Sequence, residues 1–329
     1  MLRRRQFGFA AAGCVAALAA PAVRAQATTM RLALIAQVGQ PIELGAQRFK
    51  QLVEQQTGGK LRVDIFPGGQ LGGEIQLQDS VSNGTFQMAC IGTPLAAGKL
   101  KKLDILNMYY LWKDREHMKR VLTGPIGKDL FDEYGAKTGI EVLAANWQQG
   151  TRHTMSKRRF TKPEEARGIK IRVASGVPIY DQLWSAMGAS PVPLPFPEAY
   201  SGMQTGVVDA VELPLDFIFS NGFYRLGKHL VLTGHHVYAN FFLMNAKQME
   251  AQPPEVRRIL RESALAAGEH QTEILLRNEN ELVDKIRGTG VEVVSVDTKV
   301  FANAVKPIFE RNKDTWTQAV VDKVVGAGG

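Results

Sequence analysis

Apolar residues fall in short runs punctuated by glycine and proline. Residues 30–36 (MRLALIA) predict a buried strand, and 41–57 a helix opened by Pro41 and stopped by Gly58-Gly59. Residues 61–66 alternate as a strand, and Pro67-Gly68-Gly69 turns the chain. A helix over 74–82, ended by Asn83-Gly84, leads to a third strand over 86–91. Strand, helix, strand, helix, strand is the order of a parallel sheet with helices on its faces. The same order returns as a strand at 169–173, a helix at 178–187 closed by Gly188, and a strand at 190–194, followed by a helix at 197–205 stopped by Gly206 and a strand at 207–213. No residue-level repeat accompanies it, but a unit that occurs twice fits two similar α/β lobes better than one large sheet. Between the units lie a mostly helical stretch, 114–134, and a strand, 140–146; another strand, 238–244, follows the second unit. Pro253-Pro254 then opens a helical stretch over 255–287, ~50 Å long at the usual rise, enough to run along both lobes and tie them together. A strand at 291–296 and a helix from 298 onward complete the chain.

At 329 residues the chain exceeds what one hydrophobic core usually serves, which also favours two lobes. Its net charge of +8 is misleading, because Arg3, Arg4, Arg5 and Arg24 precede any acid. Without them 36 basic residues face 32 acidic ones, a net of +4, too mild to argue for nucleic acid. Those arginines belong to a segment with the form of an export signal: Arg3-Arg4-Arg5, an apolar stretch from Phe7 to about Val23, then the small-residue site Val23-Arg24-Ala25. Cleavage would remove residues 1–25 and place the mature protein in the periplasm. Arg4-Arg5-Gln6-Phe7 leaves both the Sec and the twin-arginine routes open. Only Cys90 would remain after loss of Cys14, so no intrachain disulfide is expected. No other stretch has the length of a membrane helix.

The residues offer no convincing site for bond-making chemistry. H-E-x-x-H, C-x-x-C, G-x-S-x-G and G-x-G-x-x-G are all absent, and Gly124-Pro125-Ile126-Gly127-Lys128-Asp129 has the wrong spacing for a P-loop. His235-His236 lie side by side on an expected strand, so their side chains point to opposite faces and cannot chelate one ion together. One buried and one exposed histidine is the simpler expectation. No catalytic residue, metal or cofactor is expected.

Two arginines draw attention. Arg172 is the last charge of the strand Gly168-Ile169-Lys170-Ile171-Arg172-Val173 before Ala174-Ser175-Gly176, and ligands of open parallel sheets gather at carboxyl ends of strands. A guanidinium there offers a planar fork that matches a carboxylate. On residue type alone, an arginine so placed is more often a surface ion-pair partner, and the same holds for Arg152.

The segments around them resemble a known family. GTRHTMS at 150–156, KPEE at 162–165, GIKIRV at 168–173, GASPVP at 188–193, EAY at 198–200 and QTGVVDAVE at 204–212 are similar to solute receptors of tripartite ATP-independent periplasmic (TRAP) transporters, DctP type. So are TGGKL at 57–61 and FPGGQLG at 66–72. Each segment alone is weak; their joint occurrence in order is specific and spans the mature chain.

The resemblance implies a two-lobed α/β periplasmic binding protein fold, each lobe a sheet flanked by helices, joined by crossing strands and a long helix. Residues 26–149 plus about 239–278 would form lobe I, and 150–238 plus about 279–329 lobe II. It implies a monomeric receptor that closes over an organic acid and delivers it to the membrane permease subunits of a TRAP transporter, with no enzymatic step. Arg172 falls on the arginine that clamps the ligand carboxylate, and Arg152 on one that supports it. Gln37 and Thr93 occupy ligand-facing places in lobe I. Trp147 precedes the crossing into lobe II, Phe196 stands where relatives present an aromatic face, and Tyr238 could serve pocket or hinge. Leu213 is a departure, since many relatives carry a polar residue, often Asn, there. Loss of that amide suggests a less polar monocarboxylate, such as an aromatic or branched oxo or hydroxy acid. A receptor for an ATP-driven importer, a sensory receptor, or a secreted enzyme acting on an organic acid are the alternatives.

Overall fold

The computed structural model describes residues 27–327; the export signal expected over residues 1–25 lies outside the described residues. Among the described residues nine strands are formed: β1 (Thr28–Leu34), β2 (Leu61–Phe66), β3 (Met88–Gly92), β4 (Ile140–Ser156), β5 (Lys170–Ala174), β6 (Ser190–Leu194), β7 (Ala210–Pro214), β8 (His229–Asn245) and β9 (Glu292–Ser295). Their order is β2-β1-β3-β8-β4-β7-β5-β6, with β9 beside β8. Three parallel strands, β1 to β3, make the N-terminal end, and β5 to β7 the C-terminal end. The antiparallel pair β4 and β8 joins them.

The two strand-and-helix units fold as the pattern predicts, but they share one hydrogen-bonded path rather than forming two separate sheets. The reason lies in β4 and β8, each of 17 residues, which run through both halves. The pattern suggested only 140–146 and 238–244, because polar residues follow in β4. Asn146, Gln148, Gln149 and Arg152 are all buried, so alternation of apolar and polar side chains fails on a strand covered on both faces. The β4–β8 register shifts at several points, including between Gln148 and Gly150, and Gly150 has φ 94°, a conformation open to glycine. Tyr238 stands opposite it.

The stretch 114–134 becomes two helices, Arg115–Thr123 and Pro125–Thr138. Pro125 has no N–H to continue the first and suits the first position of the second. Asp114 caps the first by accepting the His117 N–H. The long helix, Pro254–Arg287, has 34 residues and lies along β4 and the helix Pro41–Gln56. Two glycines allow that approach. A Cβ on Gly45 would stand 2.7 Å from Gln271 Cβ and 2.9 Å from Trp147 Cζ3; one on Gly268 would stand 2.4 Å from Asn146 Oδ1. Trp147 is thereby enclosed, with Nε1–H donating to Ala264 O at 2.9 Å and its ring 5.0 Å from Phe242.

Gly45→Ala should therefore lower stability by about 1–3 kcal/mol through overpacking. Thermal denaturation checks this, and an unchanged midpoint would count against the close approach of these helices.

Candidate functional site

The two halves meet around a cavity of about 150 Å³. Glu74, Ile75 and Leu95 line it from the N-terminal half, and Arg172, Ser175 and Phe196 from the C-terminal half. The walls come from strand ends and helix starts, as the topology of parallel sheets requires. Arg172 precedes the end of β5, Phe196 opens the helix Phe196–Thr205 after β6, and Glu74 opens the helix Glu74–Ser82. Contact between the halves is close: a Cβ on Gly176 would stand 2.8 Å from Ile75 Cδ1.

Arg172 is buried, with 3% of its surface exposed. Its Nε–H and Nη2–H both donate to Leu194 O, at 2.9 and 2.7 Å, which fixes the plane of the guanidinium and leaves Nη1 for another acceptor. The group lies 5.9 Å from the centre of the Phe196 ring. Burial pulls its pKa down to about 10, so it remains charged at working pH. Among the described residues it forms no ion pair.

Arg152 is placed differently. Its Nε–H donates to Glu212 Oε2 at 2.5 Å, and its Nη2 to Glu212 Oε1 at 2.7 Å and to the Glu212 carbonyl at 2.6 Å. The pairing of β4 with β7, Thr154 opposite Glu212, creates this contact. Burial alone would raise the Glu212 carboxyl, yet Arg152 and His235 outweigh it and hold it well below the usual carboxylate range. His235 Nε2 lies 3.2 Å from Glu212 Oε2 and its Nδ1 2.8 Å from Thr233 Oγ1. Since an ionised carboxylate only accepts, Nε2 carries the proton. Burial keeps this imidazole neutral, so Arg152 alone matches the charge of Glu212. The Arg152 guanidinium also lies 4.6 Å from the Tyr238 ring centre.

His236 corrects one expectation, since both histidines are buried. They do face opposite ways: His236 Nδ1 meets Tyr180 Oη at 3.0 Å and its Nε2 meets Leu106 O at 3.3 Å. A central strand leaves neither face to solvent. Among the described residues no group of three or more His, Cys, Asp or Glu side chains could hold a metal ion.

Glu74 was not singled out by sequence. Its Oε1 accepts the Gly92 N–H at 2.7 Å, tying the start of the Glu74–Ser82 helix to the end of β3. Burial raises its pKa, only partly offset by the Gly92 N–H and the charges of Arg172 and Arg152. Gly92 must be glycine here, because an added Cβ would fall 1.7 Å from Tyr238 Oη. Glu212 was quoted only as part of a motif, and its partner depends on strand pairing. For Glu74 the available signal was an acid directly after Gly72-Gly73, at the head of a helix.

The remaining sequence candidates scatter. Phe196 lines the cavity with Arg172. Tyr238 and Thr93 are buried next to Gly92, and Leu95, two residues beyond Thr93, reaches the cavity wall. Leu213 is buried in β7 opposite His153, and Trp147 is enclosed by the long helix. Gln37 is exposed, beside a separate surface groove with Tyr200 and Phe219.

Two sheet-and-helix halves closing on a buried arginine define a solute receptor. The DctP family, bacterial extracellular solute-binding protein family 7, matches residues 32–314, and the chain belongs to it. The 2,3-diketo-L-gulonate-binding periplasmic protein of Escherichia coli is 31% identical over 264 residues, 79% of each chain. A TRAP periplasmic solute-binding protein of Roseobacter denitrificans with bound L-galactonate superposes with a TM-score of 0.85 at 27% identity, covering 92% of this chain and 99% of that one. One from Bordetella, with density assigned to pantoate, gives 0.87 at 26% identity, covering 92% and 100%. The protein is thus a solute receptor of the DctP type, a class of TRAP solute-binding proteins rather than of enzymes. No helix among the described residues is long and apolar enough to cross a membrane.

Replacing Glu212 by Gln, or Arg152 by Ala, leaves a buried polar group or charge without its partner, and each should cost about 3–5 kcal/mol. Arg152→Met combined with Glu212→Leu should cost less than either. Because the folded pKa of Glu212 is depressed, the pair's contribution is fully present above the unfolded glutamate value of about 4.3 and fades as pH falls through the folded one. Denaturant titrations from pH 7 downward measure both effects.

Proposed function

We propose that this protein is the periplasmic receptor of a TRAP transporter for a compact, weakly polar monocarboxylate, a branched or aromatic oxo or hydroxy acid, captured by Arg172. The observation that carries the reading is a buried arginine that forms no ion pair among the described residues, facing a cavity to which Ile75, Leu95, Ala174 and Phe196 contribute apolar walls beside Glu74, Gln76 and Ser175. An uncompensated buried cation is costly, and a ligand carboxylate relieves that cost. About 150 Å³ is room for a body the size of one benzene ring. Leu213 does not line this cavity, so the preference for a less polar ligand rests on Ile75, Leu95 and Phe196 instead.

Arg152, matched in charge by Glu212, supports the site by positioning rather than by direct capture in this reading. Residues 26–149 with about 239–278, and 150–238 with about 279–329, move as the two lobes, hinged at β4, β8 and the long helix. Closure is favoured only by what the ligand gains from touching both lobes, here Ile75 and Leu95 on one side and Arg172 and Phe196 on the other. Removal of residues 1–25 on export delivers the receptor to the periplasm.

A second reading, a polyhydroxylated sugar acid, has support from the L-galactonate of the Roseobacter relative and the diketogulonate of the Escherichia coli one. Glu74, Gln76 and Ser175 at the cavity would serve its hydroxyls. A thermal-shift screen across both classes separates the readings, since a ligand that binds only the native state raises the midpoint.

Arg172→Ala should weaken binding of any ligand from that screen by about a hundredfold or more, with the circular dichroism spectrum unchanged. Wild-type affinity in calorimetry would overturn the assignment of Arg172.

A further inference from the structure

We infer that Asp216 is a proton-dependent latch between the two halves: closure brings it under Gln40, and a proton taken up there holds the receptor shut, so that solute binding strengthens as the surroundings turn acidic. The inference uses the closing of the two halves and does not depend on which side chain holds the solute.

Asp216 lies just beyond β7, in the helix Leu215–Ser220, and Gln40 precedes the helix Pro41–Gln56 of the other half. Gln40 Nε2–H donates to Asp216 Oδ2 at 3.4 Å. The amide is aimed by its other end, where Gln40 Oε1 accepts the Gln37 N–H at 2.6 Å. Both side chains are buried, with 2% of Gln40 and 5% of Asp216 exposed. Gln37 and Phe219, a few residues from each, line an open groove at the same seam, so parting the halves brings water to the Asp216 carboxyl. Asp216 Oδ1 meets no donor in hydrogen-bonding geometry among the described residues. A buried carboxylate with an orphaned oxygen is costly, and a proton removes its charge.

The charges around Asp216 do not offset its own. The long helix Pro254–Arg287 presents Glu279, of the same sign. Arg115, from the helix Arg115–Thr123, is paired with Glu279. β4 carries Arg152, held by Glu212 of β7, and His153, kept neutral by burial. Glu43, on the helix Pro41–Gln56, accepts from the Gly39 N–H and the Gln47 amide. Arg225 and Tyr224, in the turn Phe223–Arg225, bond to each other. Burial raises the Asp216 pKa to about 7, with Glu279 adding to it and the N–H groups of Phe217 and Asp216 opposing it. In the open form the solvated carboxyl returns towards its ordinary value of about 3.9. Between those two values closure takes up a proton. Affinity therefore climbs as pH falls through 7, by at most about tenfold per unit, and is level above about pH 8.

Calorimetry between pH 5.5 and 8.5 with pantoate, L-galactonate and 2-oxo-3-methylbutanoate, acids that stay ionised over this range, tests the latch. Those that bind should do so about five- to fiftyfold more tightly at pH 5.5 than at pH 8.5. Asp216→Asn, neutral at every pH, should bind at pH 8.5 as tightly as the wild type does at pH 5.5 and lose the slope. Glu74 also has a raised pKa and faces the cavity, but this variant leaves it intact, so a slope retained in Asp216→Asn overturns the inference. A wild-type affinity independent of pH overturns it too. Should Asp216→Asn fail to fold, carbon-13 labelling of the aspartates in the wild type decides. One carboxyl should titrate near pH 7 in the saturated protein and well below that in the empty one, and no such difference overturns the latch. Should none of the three acids bind, small-angle scattering of the empty protein decides: the radius of gyration should shrink from pH 8.5 to 5.5, and a constant radius overturns the inference.

Discussion

Glu212 has one negative charge, and strand pairing gives it to Arg152. From that allocation the rest of the site follows. Both nitrogens that Arg152 turns towards Glu212 are used, and neutral His235 closes the remaining side of the carboxylate. The pair is closed to further partners in a region where an unmatched charge is severely penalised. Arg172, on the next strand but one from Arg152, hydrogen-bonds the Leu194 carbonyl and feels Glu212 and Glu74 only through space. One buried arginine is ion-paired inside the protein, and among the described residues the other is not. A receptor requires that asymmetry: two satisfied arginines would bind nothing, and two unsatisfied ones would burden the empty protein.

The same two long strands that create the ion pair also connect the halves. β4 carries Arg152 next to Gly150, and β8 carries His235 and Tyr238 along the facing segment. Electrostatic anchoring and the connection between lobes therefore share one ribbon. Tyr238 links both to the cavity, through its ring over Arg152 and its hydroxyl against Gly92, the residue whose N–H holds Glu74. Any change in the path of β8 is felt at both Arg152 and Glu74.

The Trp147 and Leu213 placements show how a family position can be carried by packing. Trp147 fills the space that Gly45 and Gly268 open between two helices, and Leu213 completes the core face of β7. Trp147 was a candidate because it precedes the crossing into lobe II, and Leu213 because relatives often carry Asn there. Neither side chain turns towards the cavity, because the strand's alternation sends neighbours to opposite faces.

Local features were legible in the chain itself. The amphipathic helix from Pro41, the alternating strand at 61–66, the doubled strand-and-helix order and the long helix before Gly288 all follow from periodicity and from proline and glycine punctuation. Arg172 was legible too, as the last charge before a strand opens into a small-residue turn. The full length of β4 and of its partner β8 was not, since the buried Asn146 and Gln148 of β4 take polar partners from distant helices. Nor was the division of labour between Arg152 and Arg172, or the entry of Glu74 into the site. A sequence determines which side chains carry charge and which local segments bury an apolar face. Which charge meets which is a matter of distances between residues 60 or more positions apart, and only the packed strands set those.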